Sequence, residues 1–86
     1  MKVTNMTSSS GNKVANQFII RDGNKETFQS YETIIAYRFR GAVVLDQYYW
    51  DYSATTGKYR NMFLGEGIAT TRKKIASGEY KLANLN

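Results

Sequence analysis

The sequence predicts an α+β fold: a small antiparallel β-sheet, a meander of four strands plus a C-terminal strand, with two short helices packed on it. Three observations carry this. From residue 15 to residue 46 the apolar residues alternate with a period of two, interrupted by short turn signals. From residue 53 onward the pattern turns helical, with hydroxyl residues before it and glycines after it. Pro is absent from all 86 residues, which suits short regular elements joined by Gly and Asn turns.

The elements follow in order. Lys2 to Met6 reads as a short edge strand or a frayed end, and residues 7–13 have loop composition. Residues 15–21 form a strand, with Phe18 and Ile20 on one face. Asp22-Gly23-Asn24 is a hairpin signal, because these residues tolerate the positive φ that tight primed turns demand. The chain returns over 25–31 and again over 33–39. In the latter, Ile35, Tyr37 and Phe39 are expected on one side, with Ile34, Ala36, Arg38 and Arg40 on the other. After the turn at Arg40-Gly41, residues 43–46 make the fourth strand. Residues 47–52, QYYWDY, form an aromatic cluster. Ser53 to Gly57 offer helix N-caps. Tyr59, Met62 and Phe63 then fall on one helical face, and Gly65 and Gly67 stop the helix. A second short helix over 71–77 takes Thr70 or Thr71 as its cap and ends at Gly78. Residues 79–85 read as the last strand.

Length and composition set limits. Eighty-six residues make a single domain, 1–86, with a small core. There is no Cys and no His, so neither disulfides nor Cys/His metal sites can form. Stability must come from packing, and 14% aromatic residues supply the area. The N-terminus lacks the apolar core of a signal peptide, and no apolar run approaches the length of a membrane span. A cytoplasmic protein with no membrane partner and no cofactor is expected. The net charge of +5 is uneven: residues 1–54 carry six cations against five acids, and residues 55–86 carry six against two. That imbalance favours an anionic partner, either nucleic acid or an acidic protein face.

Catalysis is the weakest reading, since the commonest general base and the strongest nucleophile are both missing. Asp46, Asp51 and Glu66 are the one set of carboxylates that would serve a magnesium-dependent nuclease; carboxylates so spaced are more often turn and cap residues. Binding is the stronger reading. Tyr48, Tyr49 and Tyr52, with Arg38, Arg40, Lys58 and Arg60, have the chemistry of an interface anchor cluster or of a stacking platform for unpaired bases. Trp50 is expected in the core against Tyr59 and Phe63, with at least one of the three tyrosines exposed. Arg72, Lys73 and Lys74 offer phosphate contacts, or simply a solvated helix end favoured by the helix dipole.

Several segments carry a resemblance. Tyr49-Trp50-Asp51-Tyr52-Ser53, Thr55 to Asn61, Phe63-Leu64-Gly65-Glu66 and Ser77 to Leu82 resemble a signature of small proteins encoded by phages and prophages of lactic-acid and related Gram-positive bacteria. Residues 11–18 and 28–31 are similar to the same family, so the likeness covers nearly the whole chain. Ala54 departs from it, where an Arg is usual, and so do residues 66–72. The resemblance implies a phage origin and a bacterial host cytoplasm, and it implies no activity. By analogy with other small phage proteins, the expected function is a non-catalytic accessory protein that binds and modulates a host macromolecule. A defence nuclease such as a CRISPR effector, or the replication or transcription machinery, would be such a target. A sequence-tolerant nucleic-acid binder using the same basic-aromatic residues is the alternative.

Overall fold

A computed structural model describes all residues, 1–86. The fold is α+β: one six-stranded sheet with two helices on one face. The strands are β1 (Lys2–Thr7), β2 (Lys13–Asp22), β3 (Lys25–Ser30), β4 (Thr33–Phe39), β5 (Ala42–Asp46) and β6 (Tyr80–Ala83), and they lie side by side in chain order. The helices are α1 (Ala54–Leu64) and α2 (Ile68–Ser77). The N-terminal segment is a full strand, antiparallel to β2. The first five strands are antiparallel. Because both helices intervene between β5 and β6, the last strand returns parallel to its neighbour, where an antiparallel sheet was expected.

The hairpins follow their turn chemistry. The β4–β5 turn places Arg40 at φ 50° and Gly41 at φ 82°, both left-handed, as a type I′ loop requires. Gly carries this without strain, whereas Arg40 must tolerate a conformation that costs a residue with a Cβ.

Phe28 identifies the covered face, since its ring lies 5.9 Å from that of Phe63 on α1. Its cross-strand neighbours Ile19, Ala36 and Leu45 therefore also face the helices. Phe18 and Ile20 do share a face, but it is the open one. In β4 the expected alternation fails. Phe28 pairs with Ala36 and Gln29 with Ile34, so Ile35 is an extra residue without an opposite number. This bulge turns Ile35 and Ala36 both inward, each fully buried, and leaves Ile34 and Tyr37 on the open face.

The core holds Met6, Phe28, Ile35, Ala36, Val43, Leu45, Tyr59, Phe63 and Tyr80. The buried stripe of α1 is Thr56, Gly57, Tyr59, Arg60 and Phe63, so the helix is rotated from the expected Tyr59/Met62/Phe63 face, and Met62 is exposed. Two polar contacts fix that rotation. The buried hydroxyls of Ser30 and Thr56 lie 3.2 Å apart, tying β3 to the first turn. Arg38 lies over the Phe63 ring at 4.6 Å and donates to the Phe63 carbonyl, one of the free carbonyls of the last turn. Arg38 also pairs with Glu26, which accepts from Arg21 as well. These two guanidiniums, that of Arg38 first, hold the Glu26 carboxyl below its usual value.

Gly57 sits inside α1 at an ordinary helical φ. A Cβ there would meet the Arg60 guanidinium at 3.6–3.9 Å, which is normal contact. Gly57→Ala is therefore expected to stabilise the domain by about 0.5–1 kcal/mol, the helix-propensity difference. Thermal unfolding checks it, and a lower midpoint would mean that the guanidinium has no room to give.

The second helix begins at Ile68, three residues before the expected start. Gly67 is its N-cap and makes no side-chain cap. Thr71, expected as the cap, is buried within the helix and donates to Glu66 at 2.7 Å. Glu66 also accepts from Lys74 at 2.7 Å and from Tyr80 at 2.9 Å, which joins the interhelical turn to β6. Burial alone would raise the Glu66 pKa, but these three donors outweigh it and hold the value low. Burial and the neighbouring Glu66 push the Tyr80 hydroxyl up. No helix is long and apolar enough to cross a membrane.

Candidate functional site

Between β5 and α1 the aromatic segment forms a run of turns, not a strand. Two side chains hold it from beneath. Asp46, at the end of β5 and fully buried, accepts from the backbone N–H groups of Tyr48 (3.1 Å) and Tyr49 (2.9 Å) through one oxygen. Its other oxygen accepts from the Leu85 N–H (2.8 Å) and the Asn86 amide (3.1 Å). Burial would raise the Asp46 pKa; the N–H groups of Leu85, Tyr49 and Tyr48 and the Asn86 amide overcome that and hold it below the usual carboxylate value. One carboxylate thus ties the aromatic loop to the C-terminal tail.

Arg60, from α1, is the second support. Expected on the contact surface, it is only 1% exposed. Its guanidinium donates to the Trp50 carbonyl (2.8 Å), to Asp51 (3.0 Å) and to the Asn61 side chain (3.0 Å), and lies 5.3 Å from the Trp50 ring centroid. Both terminal nitrogens are paired within the chain, Nε is buried without a partner, and the charge has no surface left to offer another molecule. Trp50, expected in the core, is half-buried and packs at the margin of the core cluster, with Arg60 against its ring. Ser53 closes the loop as the N-cap of α1, accepting from the Thr56 N–H at 3.1 Å.

With the backbone fixed below, the tyrosines project. Tyr48 is 71% exposed, Tyr52 47% and Tyr49 40%. The rings of Tyr49 and Tyr52 meet edge to face at 5.4 Å, which orders them relative to each other. Beside them runs a broad, open depression of about 750 Å³, lined by Tyr52, Ser53, Lys58 and Ile68 among others. Lys58 is exposed, near the Tyr59 ring, and has no carboxylate partner.

The structure separates the remaining basic residues. Arg38 is half-buried and paired with Glu26, on the covered face of the sheet. Arg40 lies over the Phe39 ring at the far end of the strands. Arg72 pairs with Asp51, and Lys74 with Glu66 and, more distantly, Glu79. Of the seven cations that the sequence offers to a partner, Arg40, Lys58 and Lys73 lack a carboxylate. Asp46, Asp51 and Glu66 do not converge; each is occupied by its own donors, and no group of three acids is placed to hold a metal ion.

Sequence periodicity missed both supports. Thr56, Tyr59, Arg60 and Phe63 recur at helical spacing, which was the available signal for Arg60, but its charge argued for solvent. No curated protein and no solved structure matches the chain. The model of a family of unknown function, DUF8033, matches residues 1–80, and the chain belongs to that family.

Proposed function

We propose that this chain is a non-catalytic binding protein whose tyrosine loop, residues 47–53, docks a protein partner. The observation that carries the reading is the pairing of three exposed tyrosines with a loop backbone held by Asp46 and Arg60. A rigid loop loses little conformational entropy on binding, and tyrosine gives large amphipathic contact area with only two rotatable bonds. Nucleic acid is the less supported partner, because Arg38, Arg60, Arg72 and Lys74 spend their charge on acids of the same chain. A phage accessory protein acting on a host defence or replication protein fits this reading.

Affinity capture from a bacterial lysate, with and without nuclease treatment, tests it. The wild-type chain should retain a protein that survives nuclease digestion. Tyr49→Ala or Tyr52→Ala should weaken that capture by about 30-fold or more, as hot-spot truncation does. Lys73→Ala combined with Lys74→Ala should change it by no more than a few-fold. Retention that disappears with nuclease, or that follows the lysines and ignores the tyrosines, would sink the proposal.

A further inference from the structure

The helices cover one face of the sheet, and the other carries an apolar band with Asp22, Lys25, Gln29 and Lys81 around it. Val3, Ile20, Thr27, Tyr37 and Val44 are successive cross-strand partners, so their side chains form one row across five strands of the open face. Ile34 and Leu85 join Ile20 and Tyr37 around a shallow depression of about 280 Å³. Val3 is 56% exposed, the rest of the row is only half-buried, and Phe39, on the same face two residues beyond Tyr37, is 40% exposed. No more than 16 of the 86 residues are buried, and this face keeps a band of apolar side chains in contact with water.

We infer that a second copy of this chain covers the open face, giving a symmetric dimer layered helix, sheet, sheet, helix. Area is the first argument. A sheet and one helix layer account for the 21 Å axis of the molecule, so the open face is the 35 × 28 Å side. Its elliptical footprint is roughly 770 Å², close to the ~800 Å² per partner of a standard stable interface. Two sheet faces with apolar bands can pack at about 10 Å, as in β-sandwiches.

Charge is the second argument, and it selects the symmetry. Lys25, over the Tyr37 ring, and Arg40 lie at the end of the strands marked by the turns at 23–24 and 40–41; neither is in an ion pair, and Asp22, opposite Lys25, is the one acid beside them on this face. Glu32 lies at the opposite end, beside Phe18 and Gln29, and has no cation. A two-fold axis running across the strands lays the Lys25/Arg40 end of each copy over the Glu32 end of the other. An axis along the strands would superpose the two net-positive ends and leave Glu32 without a cation. The crosswise arrangement is isologous. It also carries the two tyrosine loops to opposite ends of the dimer, though the inference does not depend on what those loops bind.

Sedimentation of the full 86-residue chain across a concentration series tests this. The expected species has twice the mass of the 9.8 kDa chain. Ile20→Lys should keep the circular dichroism of the wild type and weaken self-association by about 30-fold or more. Should that variant misfold, the charges decide independently: Glu32→Lys should weaken the dimer, and adding Lys25→Glu should restore it. A wild-type chain that stays monomeric to several hundred micromolar overturns the inference. So does a dimer indifferent to the charge reversal and to a folded Ile20→Lys. A monomer whose open face binds an oligo-dT strand, and loses it with Tyr37→Ala, would overturn it in favour of nucleic acid.

Discussion

Arg60→Ala is expected to destabilise the protein by about 2–4 kcal/mol, a large share of the stability of a domain this size. The guanidinium is one of the largest fully buried groups in the molecule and makes three hydrogen bonds, to Trp50, Asp51 and Asn61. Its removal leaves a void under the loop and strips the Trp50 carbonyl of its donor. The upper range for breaking a buried ion pair does not apply in full, because Asp51 is one-third exposed and keeps Arg72. Arg72 supplies the control. It binds the other oxygen of the same carboxylate, but its side chain is 65% exposed, so Arg72→Ala should cost no more than about 0.5 kcal/mol. Urea unfolding followed by the fluorescence of Trp50, the single tryptophan, measures both variants. Because Trp50 touches Arg60 directly, the native emission of the Arg60 variant should also shift. Equal effects of the two substitutions would show that Arg60 acts as one more surface cation.

That contrast marks where the sequence was readable. The hairpin at Asp22-Gly23-Asn24 and the cap at Ser53 were legible because local backbone chemistry decides them, and the structure has both. The exposure of Tyr48, Tyr49 and Tyr52 was legible in part, since one short domain cannot bury so many rings together. The bulge at Ile35 was not legible. It depends on fitting two strands of a twisted sheet under α1, and strict alternation assigns Ile35 and Ala36 to opposite faces. The early start of α2 was hidden because Gly67 caps it without a side-chain signal, while Thr70 and Thr71 carry the stronger one. The open sheet face was ambiguous for another reason. Phe18 and Ile20 alternate with Gln17 and Ile19, so both faces of β2 carry apolar groups. Only the position of Phe63 shows which face the helices take. The buried polar groups Arg60, Asp46 and Ser30 escape any hydrophobicity reading, since each is buried for its hydrogen bonds.

Asp46→Asn is expected to cost about 2–4 kcal/mol at neutral pH, and the cost should shrink as the pH falls. The carboxylate accepts from four donors, whereas an amide has one oxygen and turns its own N–H groups toward two of them. Those two donors are left buried and unpaired next to another donor. The pH dependence follows from the lowered folded-state pKa of Asp46. A carboxylate whose pKa is depressed by folding contributes stability that is present above its unfolded value, about 3.9, and lost as pH falls through the folded value. The wild type should therefore hold its stability from neutral pH down to about 5 and lose it below about 4. The Asn variant lacks this contribution and should fall less steeply. It should not become flat, because Glu26 and Glu66 also have lowered pKa values and remain. Denaturant titrations of both proteins at neutral pH and at several acid values give the difference directly. Amide exchange gives the location: the N–H groups of Tyr48, Tyr49 and Leu85 should lose protection together, because one side chain binds all three. A stability difference that stays constant down to pH 3, or a loss of protection confined to the tyrosine loop, would show that Asp46 does not join the loop to the C-terminal tail.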